Sequence, residues 1–188
     1  MEVTPMISEI SFARGSTSFW KSIVPWINNY VHAINLKHSS TIDEEIPIQE
    51  RPEHRSINNS ISFFKMKDKI NCIDSKNESV FNQAKLFLKE LPRNGLDTYE
   101  MDKSQLFIID TMTKRLILRY HKEGVIVSPK FAGCGILMNC KGDIYLNKTL
   151  VEIKAGNRLF QAVDLKQLLI YSALKKKKKN LEIQELEL

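Results

Sequence analysis

From Lys141 to Lys154 the chain reads Lys-Gly-Asp-Ile-Tyr-Leu-Asn-Lys-Thr-Leu-Val-Glu-Ile-Lys. Two apolar-rich runs flank Asn147-Lys148, the pattern of two antiparallel strands joined by a two-residue turn. With those two residues as the loop, Leu146 faces Thr149, Tyr145 faces Leu150, Ile144 faces Val151 and Asp143 faces Glu152. Side chains alternate along a strand, so Asp143, Glu152 and Lys154 share one face. Like charges directly opposite each other destabilise a sheet. Two carboxylates placed there, one step from an ammonium, therefore predict a cation between them. A ligand set made only of oxygen points to Mg2+ or Mn2+ rather than zinc.

After this hairpin, residues 158–174 read as a helix that carries Gln167-Leu168-Leu169-Ile170-Tyr171, and residues 181–188 alternate as a strand with one polar face. Together these elements resemble the catalytic core of the PD-(D/E)XK nuclease superfamily. In that family an Asp ends one strand, an acidic-x-Lys triplet lies on the next, and a helix follows. Gln167 and Tyr171 resemble the Q-x-x-x-Y element of its RecB-like branch. Gly142 stands where the family often has Pro. The resemblance covers the C-terminal half and implies a restriction-endonuclease-like α/β core. Its element order is α-β-β-β-α-β, a mixed sheet flanked by helices, here with an N-terminal helical extension. The implied division is an extension and linker over residues 1–70 and a nuclease-like domain over 71–188.

The resemblance also implies roles. Asp143, Glu152 and the Ile153 carbonyl would hold Mg2+ or Mn2+, with Lys154 acting on the attacking water or the developing charge. Gln167 and Tyr171 lie one helical turn apart and share a face that could hold the lysine or a phosphate. Gln161 and Asp164 fall on a related face, and Arg158 opens the helix, where an anion is favoured. In the family, the helix before the first core strand often adds an acid. Asp110 is the candidate, although an exposed helix acid is the commoner outcome. The implied activity is metal-dependent phosphodiester hydrolysis on DNA, in repair or in defence against mobile elements. The competing readings are a catalytically silent nucleic-acid-binding subunit on the same fold and a small α/β interaction protein in which Glu152 and Lys154 are surface charges on an edge strand.

The net charge is +6, but Lys175 to Lys179 is a run of five lysines. Positive potential is thus concentrated after the Gln167 helix. Lys175, Lys176 and Lys177 are candidate phosphate contacts; a solvated helix end explains the same run equally well. Cys72, Cys134 and Cys140 cannot all pair internally and read as reduced thiols of a cytoplasmic protein. A zinc site from Cys134, Cys140 and His121 lacks any C-x-x-C knuckle and is the weaker reading. No apolar run approaches the ~20 residues of a membrane span, and residues 1–10, with Glu2 and Glu9 and no basic residue, do not read as a secretory signal.

Upstream, a helix is expected from Ser16-Thr17-Ser18 to Asn35, broken near Val24 by Pro25. Phe19, Ile23, Trp26, Ile27, Tyr30, Val31 and Ile34 form its stripe, a core face or the face of a partner subunit or homodimer. Residues 36–52 read as linker, 61–66 as an unclassified apolar stretch, and 79–91 as a helix with Phe81, Ala84, Leu88 and Leu91 on one side. Residues 105–121 fit a strand hairpin or one helix capped by Ser104 with Leu106, Ile109, Thr113 and Leu116 inward. The lack of Gly or Pro in the middle favours the helix. Residues 125–127 and 131–139 read as strands, the latter marked by Gly133 and Gly135.

Overall fold

The computed structural model describes residues 6–37, 46, 51–89, 96–154, 159–176 and 183–187. Its elements are α1 (Glu9–Gly15), α2 (Thr17–Ile23), α3 (Ile27–Lys37), α4 (Arg55–Ile70), α5 (Asn77–Leu88) and α6 (Lys103–Tyr120). These are followed by β1 (Ile126–Val127), β2 (Lys130–Phe131), β3 (Cys140–Lys141), β4 (Ile144–Leu146), β5 (Thr149–Val151), α7 (Ala162–Lys176) and β6 (Glu185–Glu187). The protein is mixed α/β. Among the described residues, no helix is long and apolar enough to cross a membrane.

The chain forms two compact units, one made of Met1–Thr41 with Gly124–Leu188 and the other of Ile42–Glu123. This differs from the division expected near residue 70. Helices α1–α3 belong with the C-terminal elements because backbone and side-chain bonds tie them there. Ile7 N–H donates to Ile136 O at 2.8 Å, and Met138 N–H donates to Ile7 O at 3.0 Å. Lys166 Nζ donates to Ala13 O at 3.3 Å. Asn35 grips Phe160 twice, donating to its carbonyl at 2.9 Å and accepting from its N–H at 3.0 Å.

In this first unit the hairpin has the register that its turn dictates: Ile144 opposite Val151, Tyr145 opposite Leu150 and Leu146 opposite Thr149. Asn147 and Lys148 take φ of 49° and 64°, the left-handed pair that lets a two-residue turn follow the strand twist. β1 pairs antiparallel with β4, and β6 pairs parallel with β5, giving the order β1-β4-β5-β6. The expected strand over 131–139 is instead the ends of a separate two-stranded ribbon, β2 with β3, joined by a loop. Asn139 Oδ1 accepts from Gly133 N–H at 2.8 Å and holds the loop closed. Beneath the hairpin, Leu150, Phe131 and Cys140 pack with Leu168, Tyr171 and Leu174 of α7 and with Ala13, Trp20, Val24 and Ile27.

The break at Pro25 occurs as expected, between α2 and α3. It also changes which side chains face inward: Trp20, Val24, Ile27 and Val31 are buried, whereas Phe19, Ile23, Trp26 and Tyr30 are exposed. Two interleaved stripes at i, i+4 spacing are equally periodic, and the interrupted helix selects the second.

The second unit is helical. The unclassified 61–66 stretch lies in α4, whose Ile57 and Ile61 pack with Val80, Ala84 and Leu88 of α5 and Ile109 of α6. α6 is one helix, capped by Asp102 rather than Ser104: Asp102 accepts from Gln105 N–H at 2.8 Å. Its buried side chains include Gln105, Ile108, Ile109 and Thr113; Ile109 and Thr113 were expected inward. Asn58 donates to Gln105 at 2.7 Å and accepts from the Tyr99 hydroxyl at 2.8 Å, which satisfies three buried polar groups at once. Leu91 and the linker residues 38–45 and 47–50 lie outside the described residues.

Lys148 is the costly member of the turn, since a side chain in the left-handed region is strained by about 1 kcal/mol. Lys148→Gly should raise the urea midpoint by an amount on the order of 0.5–1 kcal/mol, and Lys148→Val should lower it. Equal midpoints for the two variants would mean that the turn does not set the register.

Candidate functional site

Three side chains meet where β4 and β5 end. The strand register places Asp143 opposite Glu152 one step beyond the Ile144–Val151 pair. Instead of continuing the ladder there, Asp143 Oδ2 accepts the Ile153 N–H at 2.7 Å. The backbone around both acids is fixed by neighbouring strands. Ser128 N–H donates to Asp143 O at 2.8 Å, and Glu152 N–H donates to Glu187 O at 3.0 Å. Gly142 sits in a tight place. A Cβ there would sit 3.2 Å from Phe131 Cε2 and 3.3 Å from Leu150 Cδ1.

Helix α7 closes the site. Lys154 Nζ donates to Glu152 Oε1 at 2.8 Å and to Gln167 Oε1 at 3.2 Å, and it lies 3.7 Å from Asp164 Oδ1. Asp164 is itself fixed, because its Oδ2 accepts the Gln161 N–H at 2.9 Å across the first turn of α7. Glu152, Asp164 and Gln167 are 5%, 2% and 6% exposed, so this ammonium is held in a nearly dry cage. The second carboxylate oxygen of Glu152, Oε2, is buried with no hydrogen-bond partner. An unpaired buried carboxylate oxygen is expensive, and a native site that keeps one has a use for it.

The electrostatics follow from this burial. Glu152 is pushed up to about 7, first by desolvation, then by the Asp143 charge, with Asp164 adding and Lys154 opposing. Asp143 is also raised by burial, against the pull of the Ile153 N–H and Lys154. One ammonium at 2.8 Å therefore does not offset two crowded, desolvated carboxylates. Tyr171, 2% exposed, stacks on Phe131 with centroids 5.1 Å apart and planes 13° apart. Its phenol is driven strongly upward by burial and then by Glu152, Glu9 and Asp143, so it stays protonated. The Cys140 thiol is pushed up to about 12 by burial, Glu9 and Glu152.

Of the expected residues, Asp143, Glu152, Lys154 and Gln167 come together, and Tyr171 forms the wall behind them. Asp110 belongs to the other unit, where it is exposed on α6 and paired with Lys65 at 2.6 Å. Lys175 is not a solvent-facing phosphate contact. It follows Tyr171 by one helical turn, so it points inward, is 8% exposed and lies 5.2 Å over the Tyr145 ring. Arg158, Lys177 and the Lys176 side chain lie outside the described residues. Cys134 is exposed, and His121 is in the other unit.

Glu9, the first residue of α1, was missed by sequence reasoning, and its charge acts on both Tyr171 and Cys140. Ser8 caps that helix by accepting from Ser11 N–H at 3.2 Å, a legible helix start. Its arrival here depends on the bridge between Ile7 and Leu137, which no local pattern announces.

The donor types fit a hard cation: two carboxylates, one with a buried unpartnered oxygen, and the carbonyl of Ile153 next to Glu152 in the chain. Among the described residues no three Asp, Glu, His or Cys side chains already converge on one point. Such a set suits Mg2+, which keeps several waters and takes few protein ligands. The chain matches no protein-family model, no curated protein sequence and no solved structure.

Glu152 loses its proton near pH 4.5 in the unfolded chain and near 7 in the fold. Below 4.5 it is protonated in both states and costs nothing. Between the two values the fold retains a proton that the unfolded chain has released, so stability falls as pH rises, by a total on the order of 3 kcal/mol. Without divalent ions, urea midpoints across this range should fall less steeply for Glu152→Gln than for the parent. Parallel curves would mean that the carboxyl is not desolvated.

Proposed function

We propose that the protein is a divalent-metal-dependent nuclease that hydrolyses phosphodiester bonds of nucleic acid, most simply DNA, on a restriction-endonuclease-like core. The observation that carries this reading is the buried, unpartnered Glu152 Oε2 beside Asp143, with Lys154 held on the same side by α7. The sequence of three sheet strands, a helix and a final parallel strand supports it, since the resembled core has that order.

In this reading Asp143, Glu152 and the Ile153 carbonyl hold Mg2+ or Mn2+. When bound, the cation supplies Lewis acidity to the phosphate and acidifies water. Lys154 does the rest of the charge work. Once Glu152 serves the cation, Nζ still has Gln167 and Asp164 to hold it, and its N–H groups can orient the attacking water by a hydrogen bond or offset charge on a non-bridging phosphate oxygen. Positioning such a donor in a dry cage makes it worth more than in water. Tyr171 acts through packing. Stacked on Phe131, it holds the hairpin base against α7.

Mn2+ or Mg2+ should stabilise the parent by about 2.7 kcal/mol at an ion concentration 100 times Kd, and so raise its unfolding temperature. The shift should vanish in Asp143→Ala. Incubated with linear, circular and single-stranded DNA plus Mg2+, the parent should cut. Lys154→Ala should bind alike and cut about 10²–10³-fold more slowly. Binding without any cutting by the parent would point instead to a silent nucleic-acid-binding subunit; undiminished cutting by Lys154→Ala would remove the lysine's role.

A further inference from the structure

Helices α2 and α3 belong to the same unit as the candidate site and expose aromatic rings. Trp26 is 51% exposed and Tyr30 49%, and they meet edge to face with centroids 5.6 Å apart. Phe19 is 44% exposed. Phe19 packs on Phe12 and Trp20, but Trp26 and Tyr30 are not needed to seat α3. α3 buries Ile27 and Val31 and is clamped to Phe160 through Asn35. Exposed aromatic rings close together on a short helix mark a surface that something covers.

The charge around them indicates what covers it. Between Glu9 and Asp43 the sequence holds no acidic residue, but it holds Arg14, Lys21 and Lys37 as well as His32 and His38. Arg14, Lys21 and Lys37 are all exposed. An acid-free stretch of chain that carries exposed basic residues and open rings complements a polyanion whose bases are free to stack. Duplex DNA does not fit as well, because its base faces are already stacked. A second copy of the chain fits poorly too, since a two-fold contact would set this cationic face against itself.

We infer that the α2–α3 face, centred on Trp26 and Tyr30, binds single-stranded DNA by stacking unpaired bases on the two rings while the basic residues meet the phosphates. This rests on the nuclease reading for its biological sense but not for its test. It would make an unpaired strand, or an end with a single-stranded overhang, the form of nucleic acid presented to this protein.

The chain has two tryptophans, of which Trp20 is 4% exposed, so fluorescence quenching by a ligand reports on Trp26. In EDTA, where metal-dependent cutting cannot occur, oligo(dT) should quench the parent and bind more tightly than a blunt hairpin duplex of equal charge. Trp26→Ala and Tyr30→Ala should each weaken oligo(dT) binding about tenfold, and Trp26→Phe should recover most of the affinity. Both side chains are half exposed, so the unfolding temperatures of these variants should match the parent's. Unchanged affinity in both alanine variants would overturn the inference, as would equal affinity for the duplex. A parent that sediments as a dimer and becomes monomeric in Trp26→Ala, with oligo(dT) affinity unaltered, would assign the face to self-association instead. Intact quenching together with no cutting in Mg2+ overturns the nuclease reading and supports the stacking surface; cutting without quenching does the reverse.

Discussion

The Lys154 ammonium is the joint on which the candidate site turns. It reaches from the residue after the hairpin to Glu152 at 2.8 Å, to Gln167 at 3.2 Å and to Asp164 at 3.7 Å. A buried charge is tolerated only when it is paired and hydrogen-bonded on several sides, and here the partners come from two elements. The bond network therefore locks the end of β5 onto the first turns of α7. Removing any one acceptor would leave a largely buried charge, its side chain 16% exposed, with fewer partners to hold it. That is why Asp164, which never needs to touch a ligand, is nearly fully buried and is itself pinned by the Gln161 N–H.

The same dry environment explains the rest of the site. Desolvation raises Glu152 and Asp143 together, and Lys154 offsets only part of it. The pair is poised to trade protons for a cation, and Tyr171 and Cys140 behind it stay neutral. Neutral, closely packed groups at the back and unneutralised carboxylates at the front give a site with a direction. Gly142 contributes by absence: with no Cβ, the strand can press on Phe131 and Leu150, and through Phe131 on Tyr171.

The helices before and after the sheet illustrate two kinds of legibility. The break at Pro25 was visible because proline removes a donor and clashes with the preceding turn. Which stripe would be buried was not visible, because Phe19-Ile23-Trp26-Tyr30 and Trp20-Val24-Ile27-Val31 have the same periodicity. Lys175 shows the same limit. A lysine run reads as solvated by composition, yet helical phase carries its first member inward beside Tyr145. The 131–139 run looked like a strand because its residues are apolar; instead the loop is closed by Asn139 and bridged by Ile7.

Local chemistry alone determined the hairpin. A two-residue turn leaves no freedom of register, and a strand period of two then dictates which side chains share a face. From this the opposition of Asp143 and Glu152, and the place of Lys154 beside them, could be read directly. The Gln167 face could also be read, since helix phase is likewise local. Tertiary structure alone decided what the site is built against. Glu9 arrives from the far end of the chain through a two-bond bridge at Ile7, and the exposed side of α6 that carries Asp110 is set by a core that α6 shares with α4 and α5. Those outcomes depend on contacts more than a hundred residues apart in one case, and on the packing of three helices in the other. Sequence spacing encodes turns and phases, because they are set by neighbouring backbone. It does not encode which distant surfaces will meet, because that is settled by the burial of all of them at once.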